Sequence, residues 1–175
     1  MSKILSGPAT LAFVGDAYFG LLVRLKLAET ERPIGELHSL SVKLVNANAQ
    51  ALGVAEIEPL LTEEELSVFK RGRNLHTKNT PKNSTVAQYH AATGLECLFG
   101  YLKLSGNTAR AEELFGIIWQ EISYREAFPF SEEPSALERQ IYYSVKIIEM
   151  KRVKIYRKLA FDVLKILPEV QSLAY

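Results

Sequence analysis

The chain has 175 residues, 47% of them apolar, which is enough for one packed domain, or a domain with an appendage. Its formal net charge is +1, so overall charge does not mark a nucleic-acid binder and only local clustering of Lys and Arg can do so. The single cysteine, Cys97, excludes a disulfide framework and a cysteine-based zinc site; no stretch reaches the roughly 18 apolar residues of a membrane span, and the chain is expected to be soluble and cytoplasmic.

Helical spacing runs through the sequence, while alternating strand patterns and hairpin dipeptides are nearly missing, so the expected fold class is all-α. A first helix begins near Pro8, with Leu11, Val14, Tyr18, Leu21, Leu22 and Leu25 at spacings of three and four. Its small residues Ala12, Gly15, Ala17 and Gly20 leave room for another helix. Glu29 to Pro33 reads as a connector. A second helix is predicted from about Ile34 to Ala51, ended by Gly53, with a short apolar turn from Ile57 to Leu61 after it. Thr62 and Glu65 form a capping box that opens a third helix, Glu63 to Arg71, with Gly72 as its stop.

The segment from Lys70 to Asn83 holds five Lys or Arg and no acid, and its Asn, Thr and Pro content predicts a loop. A solvated loop is the plain reading; a phosphate-binding loop is the functional one. A fourth helix spans about Ser84 to Leu104 and ends at Gly106. A fifth starts after Asn107 and carries Ala111, Leu114, Phe115, Ile118, Trp119 and Ile122. Together these make a compact helical bundle over residues 1–124. Residues 125–175 form a linker with two prolines and an amphipathic helical extension. From Ser135 onward that extension carries eight Lys or Arg against four Asp or Glu. Packing on its own domain or on a second copy is the ordinary role for such a stretch.

Two positions stand out against this frame. Asp16 is the one ionisable charge between Ile4 and Val23, and Glu96 is the one between Ser84 and Leu102, apart from His90. A carboxylate buried without a partner costs several kcal/mol or takes up a proton, so each acid is expected to have a cation, a hydrogen-bond network or a metal. Two acids near a basic, Asn-rich loop suit a divalent cation and a phosphate, since Mg²⁺ needs only one or two carboxylates. A structural ion pair would explain them equally on these grounds. His38, His76 and His90 are scattered, with no His-x-x-x-His pair. No Gly-rich phosphate loop or nucleophile elbow is present.

Leu11-Ala12-Phe13-Val14-Gly15-Asp16-Ala17 resembles the Gly-Asp-Ala helix of the ribonuclease III catalytic domain, and Thr93 to Leu102 resembles its second acidic helix. The wording is closest to the Mini-ribonuclease III family. Supporting matches are Arg32-Pro33, Leu37-His38, Val45 to Ala51, Leu61 to Glu65, Lys70 to Asn74 and Pro81-Lys82-Asn83, which cover roughly residues 9 to 120 in the family's order. The resemblance implies a ribonuclease III-like helical bundle with a C-terminal helical extension. It implies a homodimeric endonuclease that cuts double-stranded RNA with Mg²⁺, Mn²⁺ able to substitute, and trims precursor ribosomal RNA of the large subunit. It makes Asp16 and Glu96 both the catalytic and the metal-binding residues.

Full-length ribonuclease III carries two more acids, at the positions of Ala12 and Thr93, and the Mini family lacks them. The resemblance also implies no separate RNA-binding domain. Binding would then fall to Lys70, Arg71, Arg73, Asn74, Lys78, Lys82 and Asn83, with Lys43 and Asn46 as weaker candidates. Gly15, Ala12 and Gly20 are expected to allow close contact at the dimer two-fold. The alternatives are a catalytically silent relative that binds structured RNA or a ribosomal particle, and an adaptor built on the tail.

Overall fold

A computed structural model describes residues 7–75 and 84–127. Among the described residues there are six α-helices and no strand: α1 (Pro8–Ala28), α2 (Ile34–Leu44), α3 (Ala47–Ile57), α4 (Glu63–Arg73), α5 (Val86–Leu104) and α6 (Thr108–Ala127), with one 3-10 turn (Glu58–Leu60). The all-α expectation holds. The extension lies outside the described residues apart from its first few, and Arg125 to Ala127 simply continue α6.

Caps explain most of the boundaries. Pro8 opens α1 at a position where its missing N–H costs nothing. The Thr62–Glu65 capping box is formed at α4, and an equivalent Thr85–Gln88 box, which the sequence reading passed over, opens α5. Each such cap contributes about 1 kcal/mol. At the other end of α5, Gly106 takes φ 76°, and the Asn107 N–H reaches back to the Leu102 carbonyl at 2.9 Å. That is the glycine-terminated helix end the sequence predicts.

Three expectations fail for physical reasons. The predicted helix from Ile34 to Ala51 is two helices, because Asn46 Oδ1 accepts the Ala49 N–H at 2.9 Å and starts α3 afresh. Gly53 does not end a helix; it lies inside α3, where a Cβ would sit 2.5 Å from Ile118 Cγ2 of α6. Gly72 does not stop α4 either, since it is buried inside that helix against α5. Both glycines serve close approach between helices rather than chain termination.

α5 is the central element. α1, α3 and α4 all pack on it. Leu95, Cys97, Leu98, Phe99 and Leu102 are fully buried. A helix covered on nearly every side shows little amphipathic contrast, which is how its sequence reads. Phe19 links it to α6: its ring meets Phe99 edge-on at 5.4 Å and Phe115 at 5.6 Å. A polar tie joins α4 to α6, where Arg110 binds Glu65 (3.0 and 3.1 Å) and the Leu60 carbonyl (2.7 Å). Burial pushes the Glu65 carboxyl up, but the bonds from Arg110 and Thr62 outweigh it and hold the group below its usual value. No described helix is long and apolar enough to cross a membrane.

Candidate active site

The site is built on the crossing of α1 and α5. Gly15 lies so close to α5 that a Cβ there would sit 1.7 Å from the Glu96 carbonyl oxygen. The contact is reciprocal, for a Cβ on Gly100 would sit 1.9 Å from the Leu11 carbonyl oxygen. Main chain therefore rests on main chain, and no side chain larger than hydrogen fits at either point. Asp16 directly follows Gly15 and Glu96 contributes the touched carbonyl, so the crossing holds the two acids side by side. α4 adds a second close approach one turn away: a Cβ on Gly72 would lie 2.4 Å from Cys97 Cβ and 2.9 Å from the Thr93 carbonyl.

The two acids differ in environment. Both were expected to be semi-buried; Glu96 is, but Asp16 is exposed. The apolar neighbours of Asp16 do not all face inward; Phe13, one turn earlier, is 80% exposed. Burial, and then the nearby Asp16 charge, push the Glu96 carboxyl up to about 7, against the opposing pull of the nearby Gln50 amide. Among the described residues neither acid has an ion-pair partner. The structural ion pair that the sequence left open is therefore not seen within them.

Ala12 and Thr93 show why the site has two acids. Ala12 is buried in an apolar cluster with Leu11, Val68 and Cys97. Thr93 is buried and donates its hydroxyl to the Tyr89 carbonyl at 3.1 Å. Among the described residues no group of three or more His, Cys, Asp or Glu is placed to hold a metal ion. Two hard oxygen donors, mutually repelling and lacking a protein cation, still fit a divalent ion that keeps most of its waters. Buried Gln50, with its side-chain oxygen unpartnered, adds a polar group to the same place. Cys97 is no part of this chemistry: burial pushes its thiol up to about 11 despite the Arg71 charge, which leaves it unreactive.

Lys70, Arg71 and Arg73 belong to the last turn of α4, with Asn74 at its C-cap, rather than to a loop. Cations there also favour the negative helix end. Lys70, Arg71 and Asn74 border an open depression of about 380 Å³, shared with Glu63, Leu66 and Ser67. Arg73 stacks over Phe69 at 5.7 Å and approaches Glu58 at 3.8 Å. Since Gly72 of this turn touches α5 at Thr93 and Cys97, the basic helix end lies beside the segment that carries Glu96. Lys43 is paired with Glu126 at 2.7 Å, and the Asn46 side chain caps α3. Lys78, Lys82 and Asn83 lie outside the described residues.

Gln50 escaped the sequence reading. The signal was present, a polar side chain in the run Ala49 to Val54, but it carries no charge and so did not register beside the two acids. The small residues also play a different part from the one expected. Gly15 and Ala12 are consumed inside the chain by α5 and α4, so these two are not free for a two-fold contact; Gly20 accepts Arg24 Nη1 of its own helix on its carbonyl at 2.8 Å.

Helical architecture and paired carboxylates agree with the match of residues 9–107 to the Ribonuclease III domain, which fixes the class. A Mini-ribonuclease 3 from Thermoanaerobacter sp. (strain X514) is 43% identical over 116 residues, covering 66% of this chain and 82% of that protein. Those of Clostridium tetani and Streptococcus pneumoniae are 35% and 38% identical, with 82% and 90% of their lengths covered by 68% and 64% of this chain. A crystal structure of a Fusobacterium nucleatum protein matches with a TM-score of 0.61 at 30% identity, over 66% of this chain and 93% of that one. The chain belongs to the Mini-ribonuclease III family and is an endoribonuclease of the ribonuclease III type.

Proposed function

We propose that the chain is a Mg²⁺-dependent endonuclease of double-stranded RNA, acting as a homodimer in the cytoplasm on the ends of large-subunit precursor ribosomal RNA. The observation that carries the reading is the main-chain contact between Gly15 and Glu96, which sets two carboxylates together with no protein cation between them among the described residues. Asp16 and Glu96 would hold the ion, and Mn²⁺ would serve in its place. When bound, such an ion acidifies a water and stabilises charge on a phosphorane-like transition state. Everything else falls to the chain. Glu96 must lose its proton to bind, which its raised pKa makes costly below neutral pH. Lys70, Arg71, Arg73 and Asn74 neutralise and grip phosphates beside the acids, and Lys78, Lys82 and Asn83 extend that grip. A-form RNA offers phosphates, 2′-hydroxyls and shape rather than a readable major groove, so a charged helix end is a suitable reader.

The homodimer rests on α1. Phe13, Leu21 and Leu25 are exposed, and with Ala17 they follow one side of the helix. A second copy of the same face would cover them, with one acid pair on each subunit for the two RNA strands. The precursor RNA is the substrate implied by the family resemblance. The test is cleavage of a long RNA duplex with Mg²⁺ by the wild type, Asp16→Asn and Glu96→Gln. Loss of cutting in both variants supports the site, and wild-type cutting by either removes it.

A further inference from the structure

Gln50 is 1% exposed, which is unusual for an amide, and its bonding is incomplete. Its Nε2 donates to the Val45 carbonyl at 3.0 Å, across the break between α2 and α3. That bond fixes the amide orientation, since the flipped group would set oxygen against oxygen. The amide also lies near Glu96, where its polarity favours the ionised carboxyl. An NH₂ group has two hydrogens; Val45 takes one, and the second is left for Glu96. Oε1 is left buried with no partner. The polar groups known to surround the amide are the Val45 carbonyl and, once ionised at pH 8, the Glu96 carboxylate; both are acceptors, and an acceptor cannot satisfy Oε1. A hydrated divalent cation brings what is lacking, because its waters are strong O–H donors.

We propose that Gln50 is the positioning residue of the acid pair: its N–H holds the Glu96 carboxylate in place, and its free carbonyl accepts a hydrogen bond from a water carried by the cation. This rests on the reading of Asp16 and Glu96 as metal ligands. It assigns α3 a part in the site, which is otherwise built from α1 and α5. The purely structural alternative is that Gln50 only ties the end of α2 to α3 through Val45.

Mn²⁺ binding to the full-length, RNA-free protein separates the two roles, measured by isothermal titration calorimetry at pH 8 on variants that circular dichroism shows to be folded. Gln50→Met removes both polar atoms and is expected to weaken Mn²⁺ binding about ten-fold or more, the usual cost of losing a partner behind a metal ligand. Asn48→Ala removes a different α3–α5 tie, the 2.8 Å bond from Gln88, and leaves Gln50 in place. It is expected to stay within about two-fold of wild type on the positioning account. Wild-type affinity in Gln50→Met overturns the proposal, and so does an equal loss in Asn48→Ala, which would show that Gln50 merely anchors the helix. If Gln50→Met does not fold, Gln50→Asn, which withdraws the amide by one methylene, must show the weakened binding, and unchanged affinity there overturns the idea. Asp16→Asn and Glu96→Gln run in parallel. If these two keep Mn²⁺, the acid-pair reading itself has failed; if they lose it while Gln50→Met does not, only the role of Gln50 falls.

Discussion

Replacing Glu96 by Gln should make the metal-free protein more stable while abolishing cleavage. The carboxyl has a folded-state pKa near 7 against an ordinary value of 4.5, because burial and the Asp16 charge both oppose its ionisation. Below about pH 4.5 Glu96 is protonated in both the folded and the unfolded chain and contributes nothing. Between about 4.5 and 7 the unfolded chain releases the proton while the folded one keeps it, so folding stability falls as pH rises. Above 7 the full penalty is present. At 1.36 kcal/mol per pKa unit it comes to about 3 kcal/mol. Glu96→Gln has no charge to lose. Urea unfolding in the presence of a chelator should therefore give nearly equal stabilities at pH 4, a widening gap through pH 6, and a variant more stable by about 3 kcal/mol at pH 8. Adding Mg²⁺ at pH 8 should recover stability in the wild type and do little for the variant. A wild type as stable as Glu96→Gln at pH 8 without metal would refute the account of the acid pair as a strained, cation-seeking site.

Four further outcomes follow from the same geometry. At limiting Mg²⁺, cleavage should fall below about pH 7 as a proton competes for Glu96, and raising Mg²⁺ should move that acid limb to lower pH; a limb indifferent to Mg²⁺ would argue against Glu96 as a ligand. Gly100→Ala would put a methyl 1.9 Å from the Leu11 carbonyl, so denaturation should show a loss of roughly 3 kcal/mol or more, and near-wild-type stability would contradict the crossing. Lys70→Gln and Arg71→Gln should each weaken duplex binding and flatten the dependence of log K on log salt by roughly 0.9, as expected for one lost phosphate contact; an unchanged slope would place these residues off the RNA. Phe13→Asp should yield monomers in analytical ultracentrifugation, whereas an intact dimer would move the interface away from α1.

How much was legible in advance depended on the kind of signal. The acids at 16 and 96 could be seen because a lone charge in an apolar run is conspicuous, and the Thr62–Glu65 box because capping is written locally. Glycine was misread at 53 and 72. Its local meaning is a helix stop, but its meaning here is set by α6 and α5 respectively, which no local window contains. The same limit hid the division at Asn46, where one cap outweighs a continuous apolar stripe. Asp16 was expected to be semi-buried because its neighbours are apolar, yet Phe13, one turn earlier, faces outward and Asp16 is exposed with it. The basic run was divided differently from the expectation: α4 runs on through Arg73 with Asn74 as its cap, and Lys78 and Lys82 lie outside the described residues.

The packing around Ala12 makes the two-acid site hard to reverse. A Glu introduced there would have to press its carboxylate into contact with Val68 and Cys97, at a cost of several kcal/mol unless those neighbours changed with it. Thr93 would have to give up its bond to Tyr89 in the same exchange. Restoring a four-acid centre thus asks for several coordinated substitutions across α1, α4 and α5, each unfavourable alone.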